Sequence, residues 1–269
     1  MRILMVAAEN DAITGMKVGG VADVVRDVPK ALCKQGHAVD VLVPAYDLPG
    51  LLDSAKHLTS LQVPFAGHLE TVELYEWLPL TPQPGVRQFL LQHPLFTVAG
   101  AGKIYCDDPA DRPFSTDATK FALFSAGVAQ CLVAAHIASP DVLHLHDWHT
   151  ALVAVLIAFN PDYQSLQSLH AVFTIHNLAL QGTRPLRHDE SAFETWFPHI
   201  AYDGELICDP AARHCINPMR AGLNLVDRVH VVSPRYAEEI LLASDHELGF
   251  FGGEGWSMIC SARSSRGVW

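Results

Sequence analysis

The first 44 residues restrict the fold more than any other stretch. "RILMVAAE" (Arg2 to Glu9) is an unbroken apolar run of strand length, the pattern of a parallel strand buried on both faces. A loop of small residues follows, then "GGVADVVRDVPKALCKQG". There Val21, Val24, Val25, Val28, Ala31 and Leu32 recur at helical spacing, and Gly36 stands where a C-terminal cap belongs. "HAVDVLVP" (His37 to Pro44) reads as a second strand. Strand, glycine-bearing loop, helix, strand is a βαβ unit, which commits the chain to a parallel sheet with a right-handed crossover.

From about Leu61 to His93 the pattern changes: "VELYEW" and "VRQFLLQ" flank the turn "PLTPQPG", which predicts an inserted β-hairpin. "STDATKFALFSAGVAQCLVAAH" predicts a long, mostly apolar helix capped by Ser115 or Thr116. The alternation then resumes. "DVLHLH", "AVFTIH" and "VHVVS" are strands, "TALVAVLIAF" is a helix, "RAGLNLVDRV" ends another, and "SPRYAEEILL" opens a helix with Ser233 as cap and Pro234 first. There is no internal repeat. The predicted fold is α/β, a doubly wound, mostly parallel sheet with helices on both faces and an inserted β-hairpin.

With 269 residues, 49% apolar and 17% charged, the chain can bury a large core. A net charge of −11 argues against nucleic acid or an anionic membrane as partner, since both need a basic footprint. It leaves room for a phosphorylated ligand if a loop supplies donors locally. The six cysteines form no CxxC, so free thiols in a reducing cytoplasm are expected. "MRILMVAAE" is too short for a signal peptide and runs into acidic residues. No stretch reaches the roughly 18–20 apolar residues of a membrane span. A soluble, cytoplasmic protein is the expectation.

In open α/β sheets ligands sit beyond the carboxyl ends of the strands. Three polar clusters fall there: Glu9 with the loop "NDAITGMKVGG"; His146, Asp147, Trp148 and His149; and His176 and Asn177, with Gln181 and Gly182 beyond. In "KVGG", Gly19 and Gly20 leave backbone N–H groups uncovered at a helix N-terminus, which favours an anion, and Lys17 adds a point charge. The competing reading is a tight turn with Lys17 solvated. The loop is neither G-x-G-x-x-G nor a Walker loop, and Asp40 lies near the start of its strand, not at the end where a ribose would want it. "HLHDWH" (His144 to His149) looks at first like a metal site. For an H-x-H-x-D-H dinuclear hydrolase, however, its aspartate is out of register by one. For His144 alone a satisfied core position is the simpler account, and Trp148 fits packing at a helix start.

"KVGGVADVV", "HLHDWHTAL" and "FTIHNLALQG", in this order, closely resemble motifs of the bacterial glycogen synthases and plant starch synthases, and "VVSPRYAEEI" matches a later segment. The resemblance runs from Met1 to about Gly255. Val18 and Val21 are mild departures, and Phe114 stands where the family often has a tyrosine, so a hydroxyl is missing there. The resemblance implies a Rossmann-like domain that is the N-terminal half of a GT-B fold. It implies retaining transfer of glucose from ADP-glucose to the non-reducing end of an α-1,4-glucan such as glycogen, without cofactor or metal. Lys17, Gly19 and Gly20 would face the donor's diphosphate and glucose, and Asp23 would belong to the same donor site. Asp147 would be an active-site carboxylate. His176 would contact the transferring glucose, helped by Asn177 and Gln181. In the family the leaving phosphate takes the acceptor's proton, so no obligatory enzymic base is implied.

The family's second domain, with its "R-L-x-x-Q-K-G" and "E-P-C-G-L" segments, has no counterpart here. The expectation is a catalytic domain over residues 1–255, no C-terminal GT-B domain, and an out-of-frame tail over 256–269. "WSMICS" can be encoded by TGG AGT ATG ATC TGC AGN, which reads (L/M)-E-Y-D-L-Q one base earlier. Such a fragment would be inactive alone. Alternatives are a glucan-binding remnant without chemistry, a metal-dependent hydrolase built on the histidines, and UDP-glucose as donor.

Overall fold

The computed structural model describes residues 1–242; the expectation for residues 256–269 lies outside them. The initial βαβ unit is β1 (Arg2–Val6), α1 (Gly20–Lys34) and β2 (Ala38–Pro44), with β1 and β2 parallel. Gly36 follows α1 at φ 87°, and its N–H donates to Cys33 O at 3.0 Å. That is the left-handed stop expected of glycine. Asp40 also finds its purpose. Its buried carboxylate accepts from Arg87 at 2.8 Å twice and from Arg2 at 3.1 Å, pinning three neighbouring strands from the end away from any ligand.

The insertion is larger than a hairpin. It holds β3 (Ala55–Phe65), β4 (His68–Trp77) and β5 (Val86–Gln92). β3 and β4 are joined by Ala66 and Gly67, at φ 51° and 82°, the two positive φ values of a tight hairpin turn. β4 and β5 pair antiparallel as predicted, yet β5 also pairs parallel with β2 and so belongs to the main sheet. β3 escaped the sequence reading because only its last part alternates: Leu61, Val63 and Phe65 are buried, while its first half is mostly polar and exposed.

α2 (Ser115–Val133) forms where predicted, but neither Ser115 nor Thr116 caps it. Asp108 does, accepting from Thr116 N at 3.0 Å and Ser115 Oγ at 3.1 Å. Then come β6 (Val142–His146), α3 (Trp148–Phe159) and β7 (His170–Ile175). A long excursion follows through β8 (Arg184–Pro185), α4 (Phe193–Trp196), α5 (Gly204–Ile207) and β9 (Cys215–Ile216), with β8 and β9 paired antiparallel. α6 (Pro218–Leu225), β10 (Arg228–Val231) and α7 (Pro234–Glu239) complete the described chain. Ser233 caps α7 as predicted, accepting from Tyr236 N at 3.1 Å.

The sheet order is β10-β7-β6-β1-β2-β5-β4-β3, parallel from β10 to β5. Successive residues of β1 serve opposite cores. Ile3 and Met5 pack with Val25 of α1, while Leu4 and Val6 pack with the cluster of α2, α3 and α6. This is the doubly wound fold expected. The order reverses at β1, whose neighbours β2 and β6 are reached in opposite directions, and the crevice beyond β1 and β6 is where such folds bind ligands. No helix among the described residues is long and apolar enough to cross a membrane.

Gly222 of α6 shows how closely the layers approach: a Cβ added there would lie 2.7 Å from the ring of the fully buried Phe173 of β7. Gly222→Ala is expected to destabilise the fold by about 1–3 kcal/mol through overpacking, outweighing alanine's helix propensity. Urea denaturation of both proteins measures this.

Candidate active site

A cleft of about 850 Å³ opens at the carboxyl ends of the strands. It is lined by Glu9 after β1, by Gly19 and Gly20 at the start of α1, by Asp147 after β6, and by His176 and Asn177 after β7. Five of the eight residues singled out from sequence therefore meet in one cavity. Lys17, Asp23 and Gln181 do not line it.

Glu9 changes the reading of the "KVGG" loop. Its buried Oε2 accepts from Val18 N at 2.8 Å and Gly19 N at 2.7 Å, and its Oε1 accepts from Tyr105 Oη at 2.6 Å. Of the two amides expected to face a phosphate, that of Gly19 is thus already engaged by a resident carboxylate, together with that of Val18. Gly20 and the first turn of α1 remain for an external anion, and a Cβ at Gly20 would meet nothing within 4 Å. Lys17 is bound as well: its Nζ donates to both oxygens of Asp23, at 2.7 and 2.8 Å. This contact raises the Lys17 pKa and lowers that of Asp23. Arg26 also pairs with Asp23 and Asp11. A phosphate would have to draw Lys17 away from Asp23.

Asp147 is the most constrained residue of the cleft. It sits between β6 and α3 at φ 56° and ψ −178°, a conformation costing a non-glycine residue about 1–3 kcal/mol. Its Oδ1 accepts from His176 N at 2.7 Å and from Asn177 N at 3.5 Å. Burial pushes its pKa up to about 7; the two amides oppose the rise and the charge of Glu9 adds to it.

The histidines are not assembled around a metal. Among the described residues no group of three or more His, Cys, Asp or Glu side chains is placed to hold one. His144 Nε2 contacts Thr174 Oγ1 at 2.6 Å, as a satisfied core histidine should, and the same hydroxyl meets His230 Nδ1 at 3.2 Å. His146 Nδ1 meets His176 Nε2 at 2.9 Å. His149 packs on Trp148 and Phe121, with ring centroids 4.2 and 4.8 Å away. Burial lowers His144 and His149 to about 3, His176 to about 4, and His146 well below its ordinary value, so all four are neutral near pH 7.

Gln181 works inside the loop. Its Oε1 accepts from Asn217 Nδ2 at 2.6 Å and its Nε2 donates to Leu178 O at 3.1 Å. Asn177 reaches the cleft, but its Oδ1 is taken by Ala179 N at 2.9 Å. Gly182, at φ 68°, lies flat against Trp148, where an added Cβ would fall 2.1 Å from the ring.

A family profile described as the starch synthase catalytic domain matches residues 2–256. The chain belongs to this family. Glycogen synthases of Streptococcus gordonii and Streptococcus sanguinis are each 34% identical to it over 245 residues, 89% of this chain and 47% of theirs. The Streptococcus pneumoniae enzyme is 31% identical over 252 residues, 90% of this chain and 47% of its own. The chain spans about half the length of the curated relatives it matches. The catalytic domain of starch synthase IV from Arabidopsis thaliana, solved bound to ADP and acarbose, superposes with a TM-score of 0.76 at 27% identity. It covers 98% of this chain and 50% of that one.

Within this starch synthase domain, two features were not read from the sequence. Glu9 was noted at its strand end but not as the loop's resident anion, nor Tyr105 as its partner. Lys120, fully buried, pairs with Asp117 Oδ1 at 2.5 Å in the cleft wall. A lone lysine in the apolar run "TKFALF" was the available signal. Phe114, already noted from the sequence as lacking a hydroxyl, lines the cleft and packs edge-on against Trp148 at 5.5 Å.

The raised pKa of Asp147 has a thermodynamic consequence. Between about pH 4, where an unfolded aspartate ionises, and about pH 7, where Asp147 does, the native state holds a proton that the unfolded state has lost. Stability from this group therefore falls as pH rises through that window and levels above it. Asp147→Asn removes the loss while keeping the side chain's shape and an Oδ1 acceptor for the His176 amide. The variant is expected to be more stable than wild type above pH 7 by roughly 2–4 kcal/mol, the difference shrinking toward pH 4. Urea melts across that range test it.

Proposed function

We propose that this domain forms the donor-side wall of a glycogen synthase, one that transfers glucose from ADP-glucose to the non-reducing end of an α-1,4-glucan with retention. The observation that carries the reading is the meeting of the α1 N-terminus, Asp147 and His176 in one cleft at the point where the strand order reverses. Such transfer builds negative charge on the departing ADP and positive charge on the sugar. The first turn of α1 offers the partial positive charge that the diphosphate needs. Asp147, once ionised, is a buried carboxylate able to stabilise a developing oxocarbenium, an interaction strengthened where water is excluded. Neutral His176 supplies a dipole beside the sugar without competing for the anion. Lys17, released from Asp23, would follow the phosphate, while Asn177 and Gln181 hold the shape of the loop that carries His176.

The mouth of the cleft supports a two-domain enzyme. Val18, Leu180 and Val232 line it at 64%, 45% and 45% exposure, an apolar rim suited to being covered. We assign closure to a second domain, in keeping with relatives of which this chain covers only 47%, and the reaction to the cytoplasm, in keeping with the five free cysteines of the described chain.

The test joins this chain to the C-terminal half of the Streptococcus gordonii enzyme and measures radiolabelled glucose passing from ADP-glucose or UDP-glucose to glycogen. Transfer from ADP-glucose is expected in the joined protein and negligible transfer in the 269-residue chain. Asp147→Asn and His176→Ala should each reduce it at least ~100-fold, as loss of a preorganised charge or dipole does. Transfer unaffected by either substitution would refute the assignment, and a preference for UDP-glucose would correct the donor.

A further inference from the structure

His146 is fully buried, carries no role in the proposed reaction, and touches His176, one of the two histidines that line the cleft. It lies on β6 opposite Thr174 of β7, and Thr174 lies opposite His230 of β10, so the sheet register lines up three polar residues on adjacent strands. His144 covers one side of the His146 ring, with centroids 4.3 Å apart and planes 30° apart. On its edge, Nδ1 stands 2.9 Å from His176 Nε2, while the buried Nε2 has no hydrogen-bond partner.

Both rings are neutral near pH 7 because burial disfavours their charged forms, so each carries one N–H. Exactly one of them must donate in the Nδ1–Nε2 contact. If His146 carried its proton on Nε2, a fully buried donor would stand without an acceptor. If the proton is on Nδ1, only a lone pair is left unused. Orphaned buried N–H groups are the rarer and more costly defect. His146 therefore donates from Nδ1, His176 accepts at Nε2, and a neutral His176 must bear its own proton on Nδ1. That Nδ1–H has no acceptor among the described residues, and His176 lines the cleft.

We infer that His146 is a positioning residue that fixes His176 as an Nδ1–H hydrogen-bond donor toward the ligand. The tautomer assignment stands on the geometry and on the neutrality that burial imposes on both rings; its use in catalysis rests on the proposed function. In that setting His176 meets an acceptor oxygen of the transferring sugar, a hydroxyl or the ring oxygen. With Nε2 occupied and Nδ1 protonated, it has no free lone pair with which to take a proton from the glucan acceptor. His176 orients and polarises; it is not the base.

The experiment is long-range proton–nitrogen correlation NMR on the 269-residue chain labelled with 15N-histidine, His176 being assigned by its loss in His176→Gln. The expected spectrum shows His176 with a protonated Nδ1 and a pyridine-type Nε2. His146→Asn, whose amide nitrogen replaces the Nδ1–H donor, should preserve that tautomer, and His146→Phe should convert it to a mixture or to Nε2–H. Wild-type His176 in the Nε2–H form would overturn the inference, as would an unchanged Nδ1–H form in folded His146→Phe. Should His146→Phe not fold, the wild-type spectrum and the His146→Asn rescue decide. Addition of ADP-glucose to the joined protein with the Streptococcus gordonii C-terminal half, labelled in the same way, separates the two claims. Displacement of the His176 Nδ1 signal supports the proposed function, whereas the expected tautomer with no response to ADP-glucose defeats that function and leaves the role of His146 standing.

Discussion

The bond from His176 N to Asp147 Oδ1 is the contact on which the site depends. It ties the end of β6 to the end of β7 across the cleft floor, and it does so from a residue with an unfavourable backbone conformation. A strained φ persists only where its surroundings over-determine it. Here those surroundings are the buried β6–α3 junction on one side and the loop fixed by Asn177, Gln181 and Asn217 on the other. Trp148 packed flat on Gly182 closes the arrangement, because no side chain fits between them. Asp147, His176 and the loop shape are therefore a single mechanical unit.

Glu9 plays the corresponding part on the α1 side. A glycine loop at a helix start is free to adopt many conformations, and an ordered anion site needs it held in one. By accepting from Val18 and Gly19, Glu9 fixes the loop in the absence of any ligand. The cost is electrostatic. A second buried carboxylate now faces the same cavity as Asp147, and its charge adds to the rise of the Asp147 pKa. Neutral histidines are compatible with this arrangement, since they add donors without adding charge.

The parts legible in the sequence were those in which burial writes itself into local periodicity. Apolar runs marked β1, β2, β6 and β7, and the glycine loop, "HLHDWH" and "TIHN" fell at their carboxyl ends, so the cleft could be placed before any coordinates. The edge strand β3 was not legible, because half of it faces solvent and its alternation is weak. Nor was the cap of α2, which comes from Asp108 in the preceding loop. The same limit explains Lys17, Asp23 and Gln181. Residue type and proximity to a motif suggested ligand contacts, but which partner wins is decided by atoms brought together only in the fold: Asp23 for Lys17, Asn217 for Gln181.

The cleft divides its work by protonation state. Asp147 is held near the point of half-ionisation at neutral pH, so its charge is available without a large ground-state penalty and gains most when a cation develops beside it. The histidines are held far from protonation by burial, so they cannot neutralise that carboxylate in advance. Were His146 or His176 to charge at neutral pH, its positive charge would offset that of Asp147 and weaken the field the sugar is proposed to feel. Burying several imidazoles together, each disfavouring the charge of its neighbours, keeps the one mobile charge of the floor on the carboxylate.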